Sequence, residues 1–126
     1  MVAPVRLHHL ALRTADPAAL ARWYAALFGL AVTREQPGPS VWLALDDAAL
    51  MIERADPAEP RIPPGTMEFW ALRVDAAGRD AFVERCARAG VLVEHRTAFT
   101  VYVRDPDGRR VGVSCFDGFP SAPRLE

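Results

Sequence analysis

The sequence predicts a single α+β domain built from two copies of one strand–helix–strand–strand–strand unit. The pentapeptide HLALR at residues 9–13 recurs as FWALR at residues 69–73. A helical stretch that ends at a glycine follows each pentapeptide, at Gly29 and at Gly90. Three short apolar segments follow each helix. We therefore expect two βαβββ modules that form a curved mixed sheet around a cleft, with the helices on its outer face.

The first module covers about residues 5–54 and begins with a strand over residues 5–13, where apolar and polar side chains alternate. A helix follows, because Asp16 can cap it and Pro17 suits its first turn. Its apolar stripe ends at Gly29. Three further strands complete the module, over residues 30–33, 41–45 and 49–53. Turns are predicted between them at residues 37–39 and 46–47.

A proline-rich connector, residues 55–66, leads to the second module at about residues 67–116. This module contains a strong turn signal, Asp-Pro-Asp-Gly, at residues 105–108. The chain from Asp117 onward is expected to be irregular. The predicted elements are a strand at 67–74, a helix at 78–89 and strands at 91–95, 99–104 and 109–116.

Composition excludes several classes of function. The chain has 126 residues, of which 51% are hydrophobic, so it can bury a core without metals or disulfides. Its net charge of −1 argues against a nucleic-acid partner. No apolar run approaches the roughly 20 residues that span a bilayer, and no signal pattern precedes the first strand. Cys86 and Cys115 lack metal-ligand spacing, so we expect two reduced thiols in a cytoplasmic protein.

Alternation along each strand assigns one face to the helices and the other to the cleft. We expect the cleft to combine aromatic rings, a methionine and a few polar groups, as small-molecule sites do. The residues expected to line it are His9, Arg13, Trp42, Met51, Glu53, Phe69, Arg73, Tyr102, Ser114 and Phe116.

The ordered motifs of the chain resemble the vicinal oxygen chelate superfamily, which includes glyoxalase I, bleomycin-resistance proteins and extradiol dioxygenases. The resemblance runs from His9 to about Phe116 and rests on four motifs: HLALR at 9–13, WY at 23–24 with LFGL at 27–30, AGV at 89–91, and YVRDPDG at 102–108. It implies paired βαβββ modules around a ligand cleft, often in a dimer.

Metal-using members of that superfamily take ligands from the first and last strands of each module. The resemblance implies His9 as the first-strand ligand, and it places Phe69 at the equivalent position of the second module. The last-strand ligand, usually a glutamate, falls at Gly112 and, in the first module, near Met51 with Glu53 close by. Because a catalytic metal needs about three protein ligands, we expect no metal cofactor; a divalent ion is the alternative, with His9 and Glu53 as candidates.

Each candidate residue also has a structural interpretation. His9 can be a hydrogen-bonded strand histidine, and the aromatic residues can fill a barrel interior or a subunit contact. Arg13 and Arg73, at matching places in the modules, are expected to pair with carboxylates or carbonyls. His8 and Glu68 adjoin the key positions, but strand alternation predicts that they point to the opposite face. No catalytic residue is assigned.

Three functions therefore remain. The preferred one is a metal-free binding protein for a small aromatic or apolar molecule, which needs no covalent step. The alternative is a metal-dependent lyase, isomerase or dioxygenase of the glyoxalase type with an atypical ligand set. The third is a regulatory dimer with a vestigial cleft. We expect a homodimer, and the connector is long enough for the modules to pair within one chain or between chains.

Overall fold

The computed structural model describes residues 3–35 and 40–118, and in these residues it confirms the α+β class. Each module contains one helix and four strands in the predicted order. The first holds β1 (His9–Thr14), α1 (Pro17–Phe28), β2 (Val32–Glu35), β3 (Ser40–Leu45) and β4 (Ala48–Arg54), and the second holds β5 (Phe69–Arg73), α2 (Ala76–Ala89), β6 (His95–Arg96), β7 (Thr100–Arg104) and β8 (Arg110–Ser114).

Within the described residues the strands form two four-stranded mixed sheets of identical topology. The first has the order β1-β4-β3-β2 and the second the order β5-β8-β7-β6. In each sheet the first and last strands of the module pair in parallel, and the other pairs are antiparallel. The helix returns the chain to the end of the sheet where the first strand began, so the second strand of each module runs parallel to the first. Two antiparallel pairings then follow, which leave the last strand parallel to the first as well.

Local signals define both helices. The Asp16 carboxylate accepts a hydrogen bond from the Ala19 N–H at 3.1 Å, and α1 ends at Gly29 with φ of 70°. The second helix begins at Ala76, two residues earlier than predicted, because the Asp75 carboxylate caps it through the Gly78 N–H at 2.7 Å. Neither helix in the described part of the chain is long and apolar enough to cross a membrane.

Several strand boundaries differ from the predictions. The first strand begins at His9 rather than at residue 5, because its parallel pairing with β4 starts at His9 opposite Ala49. The strand predicted at 91–95 contracts to β6, since the Val91 N–H bonds the Cys86 carbonyl and so extends the end of α2. The turn predicted at 37–39 lies outside the described residues, as does the tail beyond residue 118.

One hydrophobic core joins the modules. Each helix covers one face of its own sheet, and the helices also pack against each other through Phe28 and Phe82, whose ring centroids are 4.9 Å apart. Tyr24 of α1 reaches across to stack on Trp70 of β5 at 5.7 Å. Since both helix-covered faces contribute to this shared core, the other face of each sheet points away from it. The fully buried residues include Leu43, Leu50, Ile52, Phe82, Val101, Val103 and Val111.

A buried polar cluster also ties the modules together. The Tyr24 hydroxyl donates a hydrogen bond to the Asp105 carboxylate at 2.7 Å, and the Asp105 side chain is 0% exposed. Arg109 forms an ion pair with the same carboxylate at 3.1 Å and donates to the carbonyl of Arg13 in β1. Burial and the adjacent Asp105 carboxylate together raise the pKa of the Tyr24 phenol, which therefore stays protonated and acts as the donor.

Candidate functional site

The uncovered face of each sheet carries the residues predicted to line the cleft. We call the uncovered side of the first sheet the first face and that of the second sheet the second face. The strand register places one set on the first face: His9, Ala11, Arg13, Ser40, Trp42, Ala49, Met51 and Glu53. It places the other set on the second face: Phe69, Ala71, Arg73, Thr100, Tyr102, Arg104, Arg110, Gly112 and Ser114.

On the first face, His9 and Glu53 do not converge. His9 lies opposite Ala49, whereas Glu53 lies opposite Arg13. The two rows are four residues apart along the strands, which corresponds to about 13 Å. Met51 and Trp42 occupy the row between them. One ion bound by His9 therefore cannot reach Glu53 within this sheet.

The ring of His9 instead meets the ring of His8. The two Nδ1 atoms are 2.8 Å apart, and both side chains are exposed. The prediction that His8 points to the opposite face is wrong for this residue. Because β1 begins at His9, His8 precedes the regular strand, and the alternation of side chains does not apply to it. Glu68 likewise precedes its strand, β5, and is exposed.

Arg13 and Arg73 occupy equivalent positions but have different surroundings. Arg13 binds the Glu59 carboxylate of the connector at 2.5 Å and lies 3.8 Å from Glu53. The hydrogen bond from Arg13 lowers the pKa of Glu59. Arg73 is exposed and has no hydrogen-bond or ion-pair partner among the described residues. Arg13 therefore pairs with carboxylates, as its structural interpretation expects, whereas Arg73 retains an uncompensated charge.

The centre of the second face is a floor of two small residues, Ala71 and Gly112, which lie opposite each other in the register. A Cβ atom added at Gly112 would lie 2.1 Å from the backbone oxygen of Val101 on β7. Only glycine fits where the two backbones come this close. A glutamate, the usual metal ligand at this position in the superfamily that the sequence resembles, is thus excluded sterically.

An aromatic and cationic cluster borders this floor at the end where β5 begins. The rings of Phe69 and Tyr102 meet edge to face at 4.9 Å, and the Arg110 guanidinium lies 4.2 Å from the Tyr102 centroid. Glu94 pairs with Arg110 at 3.2 Å and with Arg104 at 2.6 Å. The pKa of Glu94 is lowered, chiefly by the hydrogen bond from Arg104. Glu94 thus holds the Arg110 guanidinium against the ring of Tyr102, which in turn contacts Phe69.

Three residues beside Phe69 and Tyr102 were not among those predicted to line the cleft, namely Arg110, Glu94 and His95. Arg110 shares a face with Gly112 and Ser114, so the alternation already used for β8 identifies it. Glu94 lies one residue before β6, where no pattern indicates that it reaches two arginines on β7 and β8. His95 stacks on Tyr102 at 5.9 Å only because β6 pairs with β7 there.

The opposite end of the floor is polar. The Thr100 hydroxyl donates to the Ser114 Oγ at 2.8 Å, in the same row as Arg73. The Ser114 Oγ also accepts the backbone N–H of Phe116 at 3.3 Å. Phe116 is 37% exposed and packs against Phe99 at 5.2 Å, so it borders the second face just beyond β8.

The side chains at the expected metal-ligand positions do not fit the metal centre that the resemblance implies. Phe69 and Gly112 offer no side-chain ligand, and the approach of β7 excludes a longer side chain at Gly112. Among residues 3–35 and 40–118, no group of three or more His, Cys, Asp or Glu side chains could hold a metal ion. His8 and His9 supply two nitrogen donors, which is fewer than a catalytic site requires.

A separate cavity of about 680 Å³ opens where β1 ends, between the connector and the turn after β7. Its charged lining is Arg13, Arg54, Asp56, Glu59, Arg61, Asp107 and Arg109. Arg13 binds Glu59 and Arg109 binds Asp107 at 3.0 Å, whereas the exposed Arg61 makes no ion pair among the described residues. The cavity, like the second face with Arg73, therefore carries an arginine without a carboxylate partner.

Comparison with known proteins places the chain among proteins of this architecture. A family model described as Glyoxalase/Bleomycin resistance protein/Dioxygenase superfamily matches residues 6–113. A comparison with curated proteins finds no match for the chain. The matched family agrees with the resemblance drawn from the motifs.

Solved structures share the fold. A lactoylglutathione lyase from Agrobacterium tumefaciens is 25% identical, with a TM-score of 0.70 over 88% of this chain and 93% of its own. A possible glyoxalase from Bacillus cereus is 23% identical, with a TM-score of 0.73 over 89% and 100%. A mutant of the fosfomycin resistance protein FosX from Listeria monocytogenes, solved with Mn(II) and 1S,2S-dihydroxypropylphosphonic acid, is 15% identical, with a TM-score of 0.73 over 94% of each chain.

Proposed function

Because the chain belongs to the Glyoxalase/Bleomycin resistance protein/Dioxygenase superfamily, we propose that it is a metal-independent protein that binds a small aromatic molecule on its uncovered sheet faces. The observation that carries this proposal is the second face. There, Phe69 and Tyr102 stand beside a floor of two residues without bulky side chains, the exposed Ala71 and the buried Gly112. A planar molecule can rest on this floor with its edge against aromatic rings.

We propose that two copies of the chain form the complete cleft. The first and second faces of one chain point away from their common core, so one chain alone does not enclose a ligand between them. Phe69 is 50% exposed, and Phe99 and Phe116, which pack against each other just outside β7 and β8, are 44% and 37% exposed. Exposed aromatic groups of this kind are typical of interaction surfaces. The first face of a second copy, with Trp42 and Met51, is a chemically suitable cover.

The donor set supports the metal-independent part of the proposal. Of the two positions where the superfamily places metal ligands in this module, position 69 holds a phenyl ring and position 112 does not accept a side chain. A second copy of the same chain brings the same residues, so pairing two chains supplies no donor at either position. Binding through stacking and charge needs none of these ligands.

Calorimetry against a panel of aromatic compounds tests the binding proposal. We expect dissociation constants in the micromolar range for planar compounds and at least tenfold weaker binding by Phe69→Ser. The matched control is Leu92→Ser, which removes a large side chain that is 81% exposed and lies outside both faces. Equal affinity of the two variants, or no binding to the native protein, would contradict the proposal.

Light scattering tests the pairing of two chains. We expect a particle of twice the 13.8 kDa chain mass. Phe69→Glu places a charge on the second face and should reduce the particle to a monomer, whereas Leu92→Glu should leave it unchanged. A native protein that is monomeric at 100 μM would refute the paired cleft.

The His8–His9 contact favours a second candidate, the metal-dependent lyase, isomerase or dioxygenase. Two imidazole nitrogens 2.8 Å apart can approach one ion together. Elemental analysis of protein purified without chelators separates the two candidates. One metal ion per chain, lost in both His8→Ala and His9→Ala, would favour the enzyme; less than one tenth of an ion would favour the binding protein.

We also propose a cytoplasmic location. Both cysteines are free, with Cys86 buried and Cys115 partly buried, and free thiols are typical of reducing compartments. Fluorescence microscopy of a tagged full chain, with fractionation as a second measurement, tests the location.

A further inference from the structure

The charge around the proposed site is not balanced. The second face carries three arginines, namely Arg73, Arg104 and Arg110. Within the described residues, the only carboxylate that pairs with any of them is that of Glu94. The chain as a whole carries a net charge of −1. A local surplus of positive charge favours an anionic ligand.

One arginine of the second face has no carboxylate partner among the described residues, whereas Arg104 and Arg110 both contact Glu94. Arg13 is held by Glu59 and Glu53, and Arg104 and Arg110 share Glu94. Arg73 has no such contact within the described residues and is exposed. Its guanidinium is therefore the group available to a ligand that lies on the second face.

The geometry of the second face sets the shape of that ligand. Three rows follow one another along β5 and β8: Phe69 with Arg110, Ala71 with Gly112, and Arg73 with Ser114. Neighbouring rows are about 6.7 Å apart, and neighbouring strands about 4.8 Å. A planar ring over the middle row therefore has aromatic side chains on one side and a cation with two hydroxyl groups, Ser114 and Thr100, on the other.

We propose, as a refinement that rests on the proposed function above, that the ligand is a planar aromatic carboxylate. Its ring lies on the exposed Ala71 beside Phe69 and Tyr102, and its carboxylate meets Arg73. A carboxylate suits this position because the planar guanidinium binds it through two parallel hydrogen bonds.

Calorimetry with three naphthalene probes of similar shape tests the charge preference. The probes are 2-naphthoate, 2-naphthamide and 2-naphthylmethylammonium, measured with the full chain at 50 mM salt. We expect 2-naphthoate to bind at least tenfold more tightly than 2-naphthamide, and the cation to bind most weakly. Raising the salt to 500 mM should weaken only the binding of 2-naphthoate.

Arg73→Gln tests the residue, since it keeps a polar side chain and removes the charge. We expect its affinity for 2-naphthoate to fall about tenfold and its affinity for 2-naphthamide to stay within a factor of two. The matched control is Arg22→Gln, which changes an exposed arginine on α1 and should alter neither value. Rescue of the affinity for 2-naphthoate by Arg73→Lys, in part, would support a charge effect.

The outcomes separate this inference from the function on which it rests. If 2-naphthoate and 2-naphthamide bind equally well, the carboxylate inference fails and aromatic binding stands. If none of the probes binds, both fail. If a naphthylphosphonate binds more than tenfold more tightly than 2-naphthoate, the ligand is a different class of anion and the inference is overturned.

Discussion

Removing one hydroxyl group from α1 tests whether the buried contact between the modules stabilises the fold. In Tyr24→Phe the Asp105 carboxylate loses the hydrogen bond from the phenol at 2.7 Å. It keeps the bonds from the N–H groups of Asp107 and Arg109 and from the Arg109 side chain, at 2.8, 3.0 and 3.1 Å. A hydrogen bond to a charged group contributes about 1.5–3 kcal/mol. We therefore expect the free energy of unfolding to fall by about 2 kcal/mol.

The effect of this substitution should depend on pH in a defined direction. The pKa of Tyr24 is raised in the folded protein, so the folded state keeps the phenol proton at a pH where the unfolded chain has lost it. Folded-state stabilisation by Tyr24 is therefore complete below the unfolded pKa of about 10 and decreases above it. The decrease is about 1.4 kcal/mol per pH unit. The difference between native protein and Tyr24→Phe should then fall to about 0.6 kcal/mol at pH 11.

Urea unfolding followed by circular dichroism measures both quantities, with the free energy extrapolated to zero denaturant. The control is Tyr102→Phe, since the Tyr102 hydroxyl lies on the second face and makes no hydrogen bond within the described residues. We expect the control to change the free energy by less than about 0.5 kcal/mol. A loss in Tyr24→Phe that is no larger than in the control, or one that is constant from pH 8 to pH 11, would refute the reasoning.

Three other outcomes are expected from the structure. Gly112→Ala should lower the free energy of unfolding by about 2–4 kcal/mol in urea, because its Cβ would lie 2.1 Å from a backbone oxygen; an unchanged value would contradict the close approach of β7. The pKa of Glu94 is lowered from 4.5, so its stabilising effect is present at pH 7 and is lost as the pH falls below that value. The melting temperatures of native protein and Glu94→Gln should therefore converge between pH 5 and pH 3, and a constant gap would argue against the ion pairs. With a thiol reagent, Cys115 should react before Cys86, which is buried and whose pKa is raised by burial; Cys115→Ser should remove the fast phase.

Elements that depend on local signals were predictable from the sequence. Asp16, Pro17 and Gly29 define α1 because capping and helix termination act within a few residues of the helix ends. Face assignments were equally predictable, since side chains alternate strictly within a paired strand. Those rules fail where a strand has not yet begun, and His8 is the example, because it lies one residue before β1.

Groups whose partners are distant in sequence were not predictable. Asp105 belongs to a turn motif that needs no partner to explain it, yet its carboxylate is fully buried against Tyr24, 81 residues away. Glu94 is similar, since it meets Arg104 and Arg110 only through the pairing of β6, β7 and β8. Alternation shows which face a residue occupies, but it does not show which charges on that face are already paired. Arg13 and Arg73 look equivalent in the sequence and differ in this respect alone.

The two modules have diverged in a way that a single substitution does not reverse. Replacing Phe69 with histidine would restore a nitrogen donor on β5, but it would remove the ring that meets Tyr102 edge to face at 4.9 Å. Its natural partner position, Gly112, accepts no side chain while the carbonyl of Val101 stays where it is. Restoring a ligand there requires β7 and β8 to separate, and that would break the pairing that holds Arg110 beside Tyr102. Phe69, Gly112 and the cationic cluster thus depend on one another, and together they suit the second module to stacking and charge recognition.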